Sequence, residues 1–197
     1  MPFAPRNRRS PCLICNLITS DSDVDDGGAV VEILAVMAGS DCEQLRAGWL
    51  AQPANTVSCA AFLAVAWWLV YRAGTGADRR GVLLSGALAI AGVGVGSFVY
   101  HGPQPAWADP FHGWSVIGLA FVIIAQTISL LVRGSREAVL PAWKAAGGWM
   151  AAGLLAYVLG RTSSPFCRPE TLLQSHAVWH VLVAIGLGRM VAVYAGS

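Results

Sequence analysis

GVLLSGALAIAGVGVGSFVY, residues 81–100, decides the fold class. These 20 residues contain no Asp, Glu, Lys, Arg or Pro. A helix rises 1.5 Å per residue, so such a run reaches about 30 Å, the thickness of a bilayer's hydrocarbon core. A membrane β-strand would be shorter and would alternate apolar with polar positions. The segment therefore reads as a transmembrane helix.

Working outward, four more stretches are long and mostly apolar: 55–71, 114–132, 139–159 and 172–194. Breaks rich in Arg, Gly and Pro separate them: RAGTGADRR (72–80), HGPQPAWADPFHG (101–113), RGSRE (133–137) and RTSSPFCRPE (161–170). The expected fold is all-α, a polytopic transmembrane helix bundle of about five spans. Composition agrees. Of 197 residues, 55% are hydrophobic and 12% charged, where a soluble domain carries about 25% charged residues. A net charge of +2 is too small for a nucleic-acid footprint, so membrane lipids are the expected surroundings and no nucleic acid the expected partner. The oligomeric state is not legible.

Residues 1–40 read as a disordered tail and 41–197 as the transmembrane domain. The basic Arg6–Arg9 run is followed by PCLICNLI, too short and polar for a secretory core, so no signal peptide is expected. Met37 offers a second start. In DSDVDDGG (21–28), Asp21, Asp23, Asp25 and Glu32 fall at calcium-loop positions, but Asp26 stands where the turn glycine belongs. A solvated tail is expected there, without calcium. Arg72, Arg79 and Arg80 in the first loop and Arg133 and Arg136 in the third place those loops in the cytoplasm. The N-terminus is then outside and the C-terminus inside, with the plasma membrane of a bacterium the expected location. Arg6, Arg8, Arg9 and Arg46 pull the other way.

The histidines carry the functional signal. There are 4: His101, His112, His176 and His180. By topology, the end of the second span, the start of the third and the start of the fifth lie on one side, so all of them share one membrane depth. His176 and His180 are spaced i,i+4 and share a helix face, as do Ser97 and His101. Two imidazoles from one helix and one from another can form a three-histidine site with an open fourth position, the donor set of catalytic zinc. Residues capping helix ends would give the same placement, and histidines on facing helices could instead ligate a b-type haem. The Gly92-x3-Gly96 pair permits close helix approach. Trp179, between the two histidines, faces either the pocket or lipid.

The residues GSFVYH (96–101) resemble the Ser-x3-His motif of the alkaline ceramidase family. QSHAVWHVL (174–182) resembles the His-x3-His motif of that family's last span. QPANTVS (52–58) and DCE (41–43) resemble its segments around the first span. The likeness runs in order over about residues 41–190, within a wider superfamily of membrane hydrolases that includes adiponectin-type receptors. It implies a zinc amidase in which His101, His176 and His180 are the ligands and Ser97 sits beside the reacting water. The substrate it implies is a ceramide-like lipid amide.

This chain departs from that pattern in three places. Its spans are fewer than the family's seven. The family aspartate falls at His112 or Gly113, which leaves Asp109 or His112 as candidates for the proton role. Gln52 stands where a calcium-binding Glu is expected. Cys42 and Cys167 both lie on the outer side, where an oxidising exterior permits either a bridge or two free thiols. The family pattern joins those segments, and so implies a Cys42–Cys167 disulfide. Two further readings stay open beside the hydrolase: a b-type haem protein, and an inactive receptor-like scaffold with a structural metal.

Overall fold

A computed structural model describes residues 41–75, 79–133, 136–162 and 164–196. The tail readings, from Arg6–Arg9 to the acidic 21–28 segment, lie outside the described residues. The helices are α1 (Pro53–Ser58), α2 (Ala60–Gly74), α3 (Arg80–His101), α4 (Ala108–Val132), α5 (Arg136–Leu159) and α6 (Ser175–Ala195). Among the described residues there is no strand, only an isolated antiparallel bridge between Asp41 and Arg161. The all-helical bundle expected from the sequence is the fold observed.

Four helical segments are long and apolar enough to cross a membrane: Pro53–Gly74, Arg80–His101, Ala108–Val132 and Ser175–Ala195. The first joins α1 and α2 across Cys59, where the backbone stays close to helical. The remaining long helix, α5, has 24 residues, but Pro141, Lys144 and the Gly147–Gly148 pair dilute its apolarity. The lipid-facing surface is evident on α4, where Trp114, Ile117, Phe121, Ile124 and Ile128 are all more than half exposed. A stripe of that size would aggregate in water and is at home in lipid.

α4 begins six residues earlier than the 114–132 run implies. Pro110 explains the difference: a proline in the first turn breaks no helical hydrogen bond, because those N–H groups have no intrahelical acceptor. His112 therefore sits inside a helix and not at the mouth of a loop.

α6 packs against all the other helices. Its buried residues, His176, His180, Val183, Ala184, Leu187, Val191 and Tyr194, recur at helical spacing along one stripe. The core around that stripe includes Phe62, Leu69, Leu83 and Ile90, all 2% exposed or less. Small residues set the approach of the helices. A Cβ on Gly96 would lie 2.6 Å from Ser115 Oγ on α4, and one on Gly160 would lie 2.7 Å from the His176 nitrogen. Gly92, the other half of the expected pair, meets nothing within 4 Å, so Gly96 alone makes that contact.

Candidate metal centre

His101 is the last residue of α3, and His176 and His180 occupy the first turns of α6. The antiparallel course of these helices brings the histidines to one end of the bundle. All three are buried, and each offers a ligand nitrogen within 4.8 Å of the other two. Their ring centroids are 5.0 Å (His101–His176), 5.1 Å (His101–His180) and 4.7 Å (His176–His180) apart. This group could hold a metal ion.

Hydrogen bonds fix which nitrogens are available. Gln52 Nε2 donates to the Glu43 carbonyl oxygen at 3.2 Å, which orients the amide. Gln52 Oε1 then accepts from His101 Nδ1–H at 2.6 Å. In the neutral imidazole, His101 Nε2 is left with its lone pair. That atom is buried and has no hydrogen-bond partner. His180 follows the same logic. Ser58 Oγ donates to the Asn55 carbonyl at 2.7 Å, so its oxygen is free to accept from His180 Nδ1–H at 2.8 Å. The Nε2 lone pair of His180 is thereby freed as well. Metal-binding histidines are usually anchored through the other ring nitrogen in this way. An orphaned buried lone pair beside two more imidazoles is an arrangement a metal ion would satisfy.

Sequence reasoning missed the group behind the rings. Asp41 Oδ1 lies 3.1 Å from His176 Nδ1, and Oδ2 lies 3.6 Å from His101 Nδ1. The contact to His176 is within ion-pair reach but off hydrogen-bond alignment, and His176 Nδ1 has no hydrogen-bond partner. Arg161 Nη1 donates to Asp41 Oδ1 at 3.1 Å and to Tyr157 Oη at 3.2 Å. Burial pushes the Asp41 carboxyl above the usual carboxylate range, while Arg161 and His112 pull it back. The DCE segment was legible as a motif, but its aspartate carried no signal of its own. Its nearest partners, Arg161 and His176, lie more than a hundred residues away in sequence.

The other expected residues are placed as follows. Ser97 is 1% exposed, one turn before His101 on the buried face of α3. Its Oγ lies 3.3 Å from His112 Nδ1. His112 is half-buried and stacked on Tyr100, with ring centroids 5.1 Å apart. Asp109 is exposed in the first turn of α4, so the carboxylate beside the histidines is Asp41. Trp179 packs against Tyr157 on α5, centroids 5.4 Å apart, over the space that Gly153 leaves. Cys42 and Cys167 are joined in a disulfide, with Cα atoms 5.4 Å apart.

No family model matches the chain, and neither a curated protein nor a solved structure matches it.

Proposed function

We propose that this chain is a zinc-dependent membrane amidohydrolase that cleaves an amide bond in a lipid of ceramide-like chemistry. The observation that carries the reading is the pair of fixed tautomers. His101 and His180 each keep an Nε2 lone pair, and all three histidines offer a ligand nitrogen within 4.8 Å of the other two. His101, His176 and His180 would hold the metal. Zinc in such a site supplies Lewis acidity and a water that is nucleophilic near neutral pH.

The remaining roles belong to the chain itself. The Ser97 hydroxyl, on the same face as His101, donates to the carbonyl oxygen as charge develops on it. The His112 imidazole, half-buried and in contact with Ser97, takes and returns a proton between the site and solvent. Asp109, at the rim, exchanges protons with water. An amphiphile suits the placement, since the histidines lie at the ends of membrane-crossing helices, where a polar headgroup and an acyl chain part company. We assign this end of the bundle to the outer face of a bacterial plasma membrane, with the C-terminus inside, from the arginine bias of the loops.

Alanine at His180 tests the reading. Purified wild-type protein is expected to carry about one zinc per chain and to release fatty acid from N-acyl sphingoid lipids. His180→Ala is expected to lose both, and turnover retained in that variant overturns the assignment. The exposure of Asp109 favours one alternative, a structural ion without turnover. That reading gains if wild type binds zinc and cleaves no lipid amide. The rings sit 4.7 to 5.1 Å apart, a spacing that suits a bare ion better than a porphyrin. A colourless preparation is the corresponding expectation.

A further inference from the structure

The segment from Asp41 to Gln52 lies at the histidine end of the bundle and is fastened at both ends. Cys42 N–H donates to the Gly160 carbonyl at 2.8 Å, and Gln44 N–H donates to the Pro169 carbonyl at 3.2 Å. Ala51 and Gln52 N–H donate to the carbonyls of Gly102 and His101 at 3.1 and 2.9 Å. Glu43, 4% exposed, accepts from Ala54 N–H at 2.7 Å and Asn55 N–H at 2.8 Å, supplying the acceptors that the start of α1 lacks. The Cys42–Cys167 disulfide then ties the segment to the loop between α5 and α6.

Both residues at the ends of this segment meet imidazoles at Nδ1. Gln52 takes the His101 Nδ1–H. Asp41, next to the disulfide, presents one oxygen toward His176 Nδ1 and the other toward His101 Nδ1. Its side chain is 7% exposed. A buried carboxylate is costly unless it is paired, and Asp41 Oδ1 lies 3.1 Å from both the Arg161 guanidinium and His176 Nδ1. Arg161 is itself held, with its guanidinium 5.1 Å from the Tyr157 ring centroid and bonded to the Tyr157 hydroxyl. The carboxylate is therefore held beside His176 Nδ1, an imidazole nitrogen with no hydrogen-bond partner of its own.

We propose that residues 41–52 are a disulfide-locked strap whose Asp41 carboxylate orients His176 as a metal ligand while Gln52 orients His101, so that the Cys42–Cys167 bond sets the metal affinity of the site. This rests on the metal reading above. Asp41 is a positioning residue: it acts through the His176 imidazole, fixing its rotation. The disulfide acts in turn through Asp41, one residue away, by holding the strap in register with Arg161.

The test is zinc affinity, together with the visible spectrum of the cobalt-loaded full chain in detergent, for wild type, Asp41→Asn, Cys42→Ser/Cys167→Ser and the combined triple variant. Asp41→Asn is expected to weaken zinc binding about 10- to 100-fold and to shift the cobalt bands. The cysteine pair is expected to weaken binding in the same direction. In the Asp41→Asn background, removing the disulfide is expected to cost little more, which a purely structural role for the disulfide would not produce. Zinc affinity within about twofold of wild type in Asp41→Asn overturns the strap proposal, as does an undiminished effect of the cysteine pair in the triple variant. If wild type itself binds no divalent metal, the metal reading fails instead, so the two failures are distinguishable. Should Asp41→Asn not fold, Asp41→Glu keeps the charge and the Arg161 partner while displacing the carboxylate. Unchanged cobalt bands and affinity in that variant overturn the proposal.

Discussion

At one end of the bundle Glu43, Gln52, Asn55, Thr56, Ser97, His101, His176 and His180 are buried; at the other, Leu69, Ala73, Leu83, Val191 and Tyr194 fill the interior. The second end is closed by shape, with hydrogen bonds such as Tyr194 to Thr127 at 2.7 Å as local additions. The first is closed by partners, most of them brought in from distant parts of the chain. The difference also shows in what is left over. Among the described residues, the buried side-chain polar atoms without a hydrogen bond belong to Asn55, His101, Arg161, His176 and Gln126. All but Gln126 lie at or beside the histidine end. Native interiors tolerate few such atoms, and a concentration of them marks a place where stability has been given up for a ligand or a reaction.

Removing a ligand should break this contrast most sharply. His101→Ala is expected to reduce bound zinc from about one per chain to near zero while far-ultraviolet circular dichroism stays helical; elemental analysis of the purified variant measures it. Next in size is the covalent tie. The disulfide closes a separation of 125 residues, and replacing both cysteines with serine should lower stability by about 2–5 kcal/mol in a denaturant titration. Leu83→Ala, at the opposite end, should cost about 2–4 kcal/mol and leave zinc affinity untouched, because it opens a cavity in an apolar layer. A large drop in metal affinity from that change would show the two ends to be coupled. Gly160→Ala should cost about 1–3 kcal/mol, since its Cβ would meet the His176 backbone, and should weaken metal binding too. Tyr194→Phe should have the smallest effect, about 0.5–1.5 kcal/mol for one hydrogen bond, with no change in metal.

The apolar end was largely legible in the sequence, because long uncharged runs have one reading in a bilayer. Four of the five expected stretches match helices able to span, and the remaining one is α5. The gathering of the histidines followed from counting membrane crossings, which needs no knowledge of side-chain contacts. Asp41 and Arg161 were not legible. They meet between a strap and a loop, where no period links one position to the next. Asp109 looked the better carboxylate because it is close to His101 in sequence, yet α4 starts early enough to leave it exposed. The tautomers of His101 and His180 were also hidden, since they depend on what Gln52 and Ser58 do with their own hydrogens.

α3 terminates at His101 and α6 starts at Ser175, so the cluster sits between the negative pole of one macrodipole and the positive pole of another. Their contributions to the electrostatic potential at the cluster are opposite in sign. Asp41 and Arg161, both contributed by non-helical segments, add charged groups beside it. A change at either residue would retune the field at the site while leaving the helices that frame it in place.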